Sequence, residues 1–308
     1  MIYFIKTFFL FLFFTSITYI LLILVLSFLN LPQSLTPNLI KRDLSTNTFI
    51  DIQKVKKIDI LFIGSSHAYR GFDVRLFEKY GYKVFNLGTT AQSPVDSKLL
   101  LNYYIDQLTP KIVVFDAFPL LFSKNENNIE AKVSIIANLV DNKLLYTLIN
   151  QDILTNMKIL NTTITTYINN KYFKIHFFKK AINDELYIKN GYITFDNLKY
   201  NSVIIKNRNY LNIDKEKFKE VAEIKNVLKK KGIKFLILQM PMTNKFYSSF
   251  DSMQAFDHMI SKNIKYYNFN FNLKLNDSID FYDSHHLNQN GVLKTNQYLI
   301  KILDSINL

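Results

Sequence analysis

The chain of 308 residues contains no cysteine. This absence excludes a disulfide framework, a thiolate nucleophile and any zinc or iron–sulfur site that depends on cysteine ligands. It does not identify the redox compartment, because a chain of this length can bury a large core without disulfides. Apolar residues make up 48% of the sequence and charged residues 20%, a balance that excludes intrinsic disorder and predicts a sizeable core.

Arginine is scarce, although the formal net charge of the chain is +13. The positive charge comes almost entirely from scattered lysines, since arginine occurs only at positions 42, 70, 75 and 208. A nucleic-acid-binding protein concentrates arginine and lysine on one face of a known motif. We therefore expect no nucleic-acid partner, and only a mild attraction to anionic surfaces.

Charged residues are also absent between Lys6 and Lys41, and most of this stretch is apolar. A helix of that composition and length can cross a hydrocarbon layer about 30 Å thick. The stretch is longer than the core of a cleaved signal peptide, which remains the alternative, and no small-residue cleavage motif follows it. Residues 1–31 are therefore predicted to be an uncleaved signal anchor, with a polar linker over residues 32–57.

Beyond residue 57, short apolar runs alternate with segments of helical spacing. This alternation predicts βαβ units, in which a parallel sheet carries helices on both faces. A segment from about 120 to 212 breaks the alternation and is predicted to be a mostly helical insertion over the sheet edge. The predicted strands are Ile58–Ile63, Lys83–Leu87, Lys111–Phe115, Ile233–Gln239 and Ile279–Tyr282. The predicted helices are Asp73–Tyr80, Val95–Leu108, Lys215–Lys231, Phe250–Asn263 and Gln289–Ile306.

The loop after the first predicted strand begins Gly64-Ser65-Ser66. Ligand sites of open α/β sheets lie at the carboxyl ends of the strands, so this loop is a candidate site. A glycine permits a sharp exit from the strand, and a serine there can face the cleft beside the N–H groups of the next helix. Such an arrangement suits a nucleophile next to an oxyanion.

The loop after the last predicted strand reads Asp283-Ser284-His285-His286, followed by Leu-Asn. An aspartate three residues before a histidine can accept a hydrogen bond from the imidazole Nδ1–H. That bond selects the tautomer in which Nε2 is free to act as a base. The two loops together therefore indicate a serine, a histidine and an aspartate that could act in nucleophilic catalysis.

In order and content these motifs resemble the SGNH (GDSL-like) hydrolase superfamily, whose domain is a flavodoxin-like three-layer α/β sandwich. The resemblance covers about residues 58–119 and 233–306 and implies that residues 58–308 form an SGNH-like domain. It implies Ser66 as nucleophile, His286 as base and Asp283 as the partner of His286. The family's second block has a glycine whose N–H serves the oxyanion hole, and Gly88 matches it.

The third block of the family departs from the pattern. The family has Gly-x-Asn-Asp there, whereas this chain has Asp116-Ala-Phe-Pro. An anionic Asp116 would disfavour an oxyanion, so another group would have to replace the missing donor. Asn86 and Gln92 are the candidates for that role. Arg70 is a further candidate, for contact with an anionic glycan, with a solvated helix face as the alternative.

The membrane-anchored, cell-envelope branch of the superfamily often departs from this third block. The chain resembles that branch, including the proteins of teichoic-acid D-alanylation and alginate-type O-acetylation. This resemblance implies a serine esterase or an O-acyltransferase acting on acyl, notably acetyl, esters of a cell-surface glycan. It also implies a domain outside the cytoplasm, no cofactor, and a multi-span membrane acyltransferase as a partner. Flanking charge alone would weakly place the domain inside, but long domains translocate largely regardless of charge.

Two further interpretations compete with this one. The first is a catalytically inactive binding or assembly component that retains the fold, a reading supported by the missing asparagine. The second is a metal site built from His67, Asp283, His285 and His286. Neighbouring side chains diverge on an extended loop, so the adjacent histidines are not expected to share one ion. We therefore expect no metal.

Overall fold

The computed structural model of the chain describes residues 1–28, 41–42, 45–124, 129–138, 157–168, 171, 177–178, 185–195, 210–262 and 264–306. The α-helices in these ranges are α1 (Ile2–Phe28), α2 (Ser45–Ile52), α3 (Ser66–Gly71), α4 (Val74–Lys79), α5 (Pro94–Leu108), α6 (Ile129–Asn138), α7 (Met157–Ile168), α8 (Lys215–Lys230), α9 (Asn244–Tyr247), α10 (Met253–Ser261), α11 (Phe269–Asn272) and α12 (Gln289–Ser305). The strands are β1 (Lys41–Arg42), β2 (Ile60–Ile63), β3 (Val84–Asn86), β4 (Ile112–Asp116), β5 (Phe177–Phe178), β6 (Glu185–Lys189), β7 (Tyr192–Phe195), β8 (Lys234–Gln239) and β9 (Tyr266–Asn268).

The central sheet has five parallel strands in the order β3-β2-β4-β8-β9. Counted along the chain this order is 2-1-3-4-5, which is the flavodoxin-like arrangement. Strands β2 and β4 are buried along their whole length, as expected of parallel strands that are covered on both faces. The predicted α/β fold is therefore confirmed, and its topological switch point lies between β2 and β4.

The predicted fifth strand, Ile279–Tyr282, is wrong. The fifth strand of the sheet is β9, which pairs with β8 through Tyr267 and Leu238 among others. The 279–282 segment instead makes a single antiparallel bridge, between Phe281 and Leu287. Its apolar residues lie in a tight loop that the Phe281–Leu287 bridge closes. This loop carries Asp283 and the following histidines.

The predicted linker over residues 32–57 contains a helix, α2, and is therefore not a linker throughout. Phe49 and Ile52 of α2 are fully buried, which requires α2 to pack as part of a core. The predicted helix Phe250–Asn263 is observed in shorter form as α10, and the other predicted helices are observed within a few residues of their expected ends.

The chain divides into two compact units, Met1–Asp43 with Lys132–Lys180, and Leu44–Ala131 with Ala181–Leu308. In the first unit α1 packs against α7, where the hydroxyl of Tyr19 donates to Oδ1 of Asn161 at 2.7 Å. Helix α1 is long and apolar enough, over Ile2–Val25, to cross a membrane. The second unit holds the whole five-stranded parallel sheet.

The region from 120 to 212, predicted as a mostly helical insertion, contributes to both units. Helix α7 belongs to the first unit, whereas the antiparallel hairpin β6–β7 belongs to the second. The backbone N–H of Asn86 at the edge of the sheet donates to the carbonyl oxygen of Asn190 in the hairpin turn, at 2.9 Å. Residues 139–156 and 196–209 of this insertion lie outside the described residues.

Candidate active site

Ser66 lies at the carboxyl end of β2, where the chain turns into α3. Ser65 caps this helix and Ser66 is its first residue. The first backbone N–H groups of a helix have no acceptor within the helix, so the Ser66 N–H can serve a ligand. The switch point of the sheet therefore presents a hydroxyl and a backbone donor from the same residue.

The turn between β2 and α3 requires a glycine. Gly64 has a φ of +144°, a conformation that side chains rarely adopt. A Cβ atom at this position would also lie 3.0 Å from both the Cβ and the carbonyl oxygen of Asp116. The sharp exit predicted from the sequence thus depends on close contact between the turn and the end of β4.

The structure brings Ser66, His286 and Asp283 together. Oγ of Ser66 lies 2.8 Å from Nε2 of His286, across 220 positions of sequence. Nδ1 of His286 lies 2.8 Å from Oδ2 of Asp283, and Oδ1 of that carboxylate accepts the backbone N–H of His286 at 2.7 Å. Because a carboxylate only accepts, Nδ1 carries the proton and the lone pair of Nε2 faces the serine hydroxyl.

Electrostatics favour the same protonation states. Burial lowers the pKa of His286 below its ordinary value, and the hydrogen bond and charge of Asp283 only partly oppose that shift, so the imidazole is neutral near pH 7. Burial alone would raise the pKa of Asp283, but its hydrogen bond to His286 and the neighbouring histidines hold it well below its usual range. The site therefore pairs a neutral base with an ionised carboxylate.

Arg70 does not lie on a solvated helix face. Its guanidinium donates to the hydroxyl of Tyr282 at 2.5 Å and sits 4.4 Å from the ring centroid of Phe195. The ring of Tyr282 in turn stacks on the imidazole of His286, with centroids 5.4 Å apart and planes 2° from parallel. Arg70 thus supports the aromatic ring behind the histidine, and its contact with an anionic glycan stays a prediction.

Gly88 packs directly against the nucleophile loop. A Cβ atom there would lie 3.0 Å from the backbone nitrogen of Tyr69 and 3.1 Å from the carbonyl oxygen of Ser65. The N–H of Gly88 donates to Oδ1 of Asn86 at 3.2 Å, near the long limit for such a bond. An oxyanion would have to draw this N–H away from Asn86.

The side-chain amides of Asn86 and Gln92 are engaged with protein acceptors. Nδ2 of Asn86 donates to the carbonyl oxygen of Ala68 at 2.7 Å, and Nε2 of Gln92 donates to Oγ of Ser97 at 3.0 Å. Both side chains are buried. In this conformation both amides are engaged with protein acceptors and brace the loops around the site.

Asp116 stands where the resembled family has an asparagine. The sequence led us to expect a negatively charged carboxylate there, but the environment of this side chain favours the neutral form. Its side chain is 2% exposed, and Oδ1 accepts the backbone N–H of Met240 at 3.1 Å. Burial raises the pKa of Asp116 to about 7, against the smaller opposing effects of Met240 and the Ser65 hydroxyl. A substantial fraction of this carboxyl is therefore protonated near neutral pH.

His67, His285 and His286 form a cluster whose nearest nitrogen atoms lie within 4.8 Å of one another. The expectation that the adjacent histidines diverge is wrong, because their ring centroids are 4.0 Å apart. The ring nitrogens of His67 and His286 already have protein partners, however. Nε2 of His67 lies 2.8 Å from the carbonyl oxygen of His285, and Nε2 of His286 faces Ser66. A metal ion would have to replace these hydrogen bonds.

Sequence reasoning did not assign roles to Tyr282 or Ser65, and it considered His67 only as a ligand of the alternative metal site. Tyr282 directly precedes Asp283, and only its stacking on His286 makes it part of the site. His67 is notable in the sequence as one of five histidines, three of which fall in the two loops that carry the motifs. That scarcity was the one signal available for His67.

No family model matches the sequence, and no curated protein matches it either. Among solved structures, the chain is similar to a Bacteroides fragilis protein described as a candidate acylhydrolase, with a TM-score of 0.41 and 10% identity over 83% of this chain and 93% of that one. It is also similar to a GDSL-like lipase from Bacteroides thetaiotaomicron, with a TM-score of 0.40 and 11% identity over 80% and 88% of the two chains.

Proposed function

We propose that the protein is a serine esterase or O-acyltransferase of the SGNH type. The observation that carries this proposal is the aligned series of Ser66 Oγ, His286 Nε2 and the Asp283 carboxylate, each pair 2.8 Å apart. A serine hydroxyl is a weak nucleophile until an adjacent base accepts its proton. A neutral, oriented imidazole at hydrogen-bond distance meets that requirement.

In the proposed reaction, Oγ of Ser66 attacks the carbonyl carbon of an acyl ester while Nε2 of His286 takes the hydroxyl proton. The Ser66 and Gly88 N–H groups stabilise the oxyanion. The alcohol of the ester leaves with the proton from His286, and an acyl-enzyme remains. Water or a sugar hydroxyl then attacks the acyl-enzyme as His286 accepts its proton. His286 passes that proton to Oγ of Ser66 as the bond between Oγ and the acyl carbon breaks, which regenerates both residues and yields an acid or a new ester.

For the substrate and the location, we infer acyl esters, acetyl esters foremost, of a cell-surface glycan, reached by a domain outside the cytoplasm. The apolar helix α1 would tether the domain to the membrane, and a multi-span membrane acyltransferase would supply acyl groups if the reaction is a transfer. The positive charge of the chain favours an anionic polymer over a neutral one. This part rests on the resemblance of the motifs and on the properties of α1.

The first experiment is labelling of the full-length protein in membranes with a fluorophosphonate probe. Wild type should be labelled, whereas Ser66→Ala and His286→Ala should not. Exposed residues of α10 provide matched controls, so Ser261→Ala and His258→Ala should label like wild type. Absence of labelling in a folded wild type would refute the enzyme proposal, and labelling would lead to acetylated sugars as substrates.

Location can be tested separately, because the chain has no cysteine of its own. A Ser261→Cys variant places one thiol on an exposed position of α10. A membrane-impermeant maleimide should label it on intact cells if the domain is external. Labelling only after lysis would place the domain inside, where an extracellular glycan is out of reach.

A second candidate function is that of a catalytically inactive binding or assembly component. The observation that favours it is the engagement of the Gly88 N–H and of the Asn86 and Gln92 amides by protein acceptors. A site without ready oxyanion donors typically loses about 10²–10³-fold in rate per donor. On this reading Ser66→Ala would leave the cellular function intact, whereas the esterase proposal requires its loss.

A further inference from the structure

Ser66 is flanked by two buried polar residues that the proposed mechanism does not use. Ser65 is 1% exposed and His67 is 4% exposed. Oγ of Ser65 lies 3.3 Å from Nδ1 of His67, and Nε2 of His67 lies 2.8 Å from the carbonyl oxygen of His285. The peptide bond that begins at this carbonyl leads directly into His286. These two hydrogen bonds, from Ser65 to His67 and from His67 to the carbonyl of His285, join the nucleophile loop to the loop of the proposed base. We call them the relay.

The direction of these hydrogen bonds follows from the donors and acceptors involved. A carbonyl oxygen only accepts, so Nε2 of His67 carries a proton. Burial, together with the neighbouring His286 and His285, lowers the pKa of His67 well below its ordinary value, so the ring is neutral. In a neutral imidazole the other nitrogen is an acceptor, and the Ser65 hydroxyl must therefore donate to Nδ1.

Asp116 lies next to this series of hydrogen bonds, since a Cβ atom at Gly64, directly before Ser65, would lie 3.0 Å from the Cβ atom of Asp116. Its Oδ2 atom is buried and has no hydrogen-bond partner among the described residues, and the Ser65 hydroxyl is close enough to influence the carboxyl. A protonated Asp116 can donate to Oγ of Ser65 while the serine hydroxyl points to His67. An ionised Asp116 can only accept, so it would compete with His67 for the single proton of Ser65.

We propose that Ser65 and His67 are positioning residues, which hold the peptide between His285 and His286 so that Nε2 of His286 stays within reach of Ser66. The protonated form of Asp116 keeps the Ser65 hydroxyl directed toward His67. This inference rests on the proposed function for its catalytic consequence, but the positioning of the loop does not depend on it. A shift of about 1 Å in a reacting group can cost on the order of 10²-fold in rate.

Other titratable groups also lie near this relay, and their ionisation can be distinguished from that of Asp116. His67 faces Arg70, His285 and His286. Asp116 faces the phenol of Tyr266, which lies on β9 and donates to the carboxylate of Asp257. Burial raises the pKa of the Tyr266 phenol, which therefore stays neutral at neutral pH. The pKa of His285 is lowered to about 4 by burial and by His286. Near pH 7 the ionisation of Asp116 is thus the change that reaches Ser65.

The test compares His67→Phe with His67→Gln in the full-length protein. Phenylalanine keeps a ring against Phe118, whose centroid lies 4.0 Å from that of His67, but removes the donor to His285. Glutamine removes the ring but offers an amide donor. We expect His67→Phe to slow fluorophosphonate labelling and kcat on p-nitrophenyl acetate about tenfold or more with little change in KM, and His67→Gln to recover most of the loss.

Two readouts keep this test independent of stability and of the enzyme proposal. Hydrogen exchange of the peptide that spans residues 283–288 should accelerate in His67→Phe and not in His67→Gln or the His258→Ala control. In wild type the labelling rate should also fall as pH rises through about 7. The Asp116→Asn variant should remove that fall, because an amide does not ionise in this pH range.

Unchanged exchange and labelling in His67→Phe would overturn the proposal, as would a fall near pH 7 that persists in Asp116→Asn. If wild type is not labelled at all, the enzyme proposal fails, and the exchange comparison alone still decides whether His67 positions the loop. Circular dichroism melting of each variant identifies any that fails to fold. In that event Ser65→Ala replaces it and should show the same faster exchange, although this variant removes the cap of α3 together with the hydroxyl that donates to His67.

Discussion

The carboxylate of Asp283 holds His286 at two points. One oxygen lies 2.8 Å from Nδ1 of the imidazole, and the other accepts the backbone N–H of the same residue at 2.7 Å. The second oxygen also accepts the backbone N–H of His285 at 2.9 Å. Asp283 therefore shapes the loop as well as selecting the tautomer of the proposed base.

Replacing Asp283 by asparagine should separate these two effects. The Oδ1 atom of asparagine can still accept the backbone N–H groups, but its amide donates to Nδ1 and selects the wrong tautomer. We expect kcat for ester hydrolysis to fall about 10⁴-fold, with little change in melting temperature. Asp106→Asn, which removes only a surface ion pair with Lys231, is the control. A fall of less than tenfold would contradict the assigned role of Asp283.

The pH dependence of the reaction should show an acid limb that belongs to His286. Its pKa is lowered from an ordinary value of 6.5, chiefly by burial. The base must be neutral, so activity is present above this pKa and lost as pH falls through it. A profile of kcat/KM against pH should give an apparent midpoint below 6.5. A midpoint clearly above 6.5 would mean that the Asp283 charge outweighs burial.

Asp116→Asn should stabilise the protein at high pH only. The pKa of this carboxyl is raised by burial from 3.8 to about 7, so the folded state binds its proton more tightly than the unfolded state does. Stability therefore falls between about pH 4 and pH 7, and the ionised group costs on the order of 4 kcal/mol above that range. Melting curves of variant and wild type should coincide near pH 4 and separate by pH 8. Equal curves at pH 8 would contradict the raised pKa.

Gly88→Ala should disturb both stability and activity. The added Cβ would press on the backbone of α3 at Tyr69 and on Ser65, at 3.0 and 3.1 Å. Overpacking of this kind costs about 1–3 kcal/mol, and relief would require α3, with Ser66, to move. We expect a lower melting temperature and a slower labelling of Ser66. A variant with the wild-type melting temperature and labelling rate would show that the Gly88 loop and the Ser65 loop can move apart without loss of stability or activity.

Parts of the fold were predictable because they depend on local patterns. The apolar run at β2 and the glycine that follows it indicated a buried strand with a sharp exit, and both are observed. The fifth strand was misplaced because β9 reads Tyr-Tyr-Asn, a short and polar pattern, whereas the loop at 279–282 alternates as a strand would. Pairing with β8 decided between them.

The candidate site shows the same division. Residue type and spacing indicated a serine in the first loop and an aspartate–histidine pair in the last, because an aspartate three positions before a histidine can reach its ring within one loop. The family resemblance then implied Ser66, His286 and Asp283 in particular. Asn86 and Gln92 were suggested as oxyanion donors, but their amides are engaged with Ala68 and Ser97. Sequence does not tell which acceptor a buried amide will find.

By itself, the sequence determined the alternation that leads to a parallel sheet, the apolar helix at its start and the residue types available for chemistry. These features follow from the period of apolar residues and from local turn geometry, which act over a few positions. Only the tertiary structure decided that His67 meets the carbonyl of His285, 218 positions away, and that burial raises the pKa of Asp116 to about 7. Both depend on which segments the sheet brings together and on the exclusion of water there, and neither is encoded in the neighbourhood of the residue concerned.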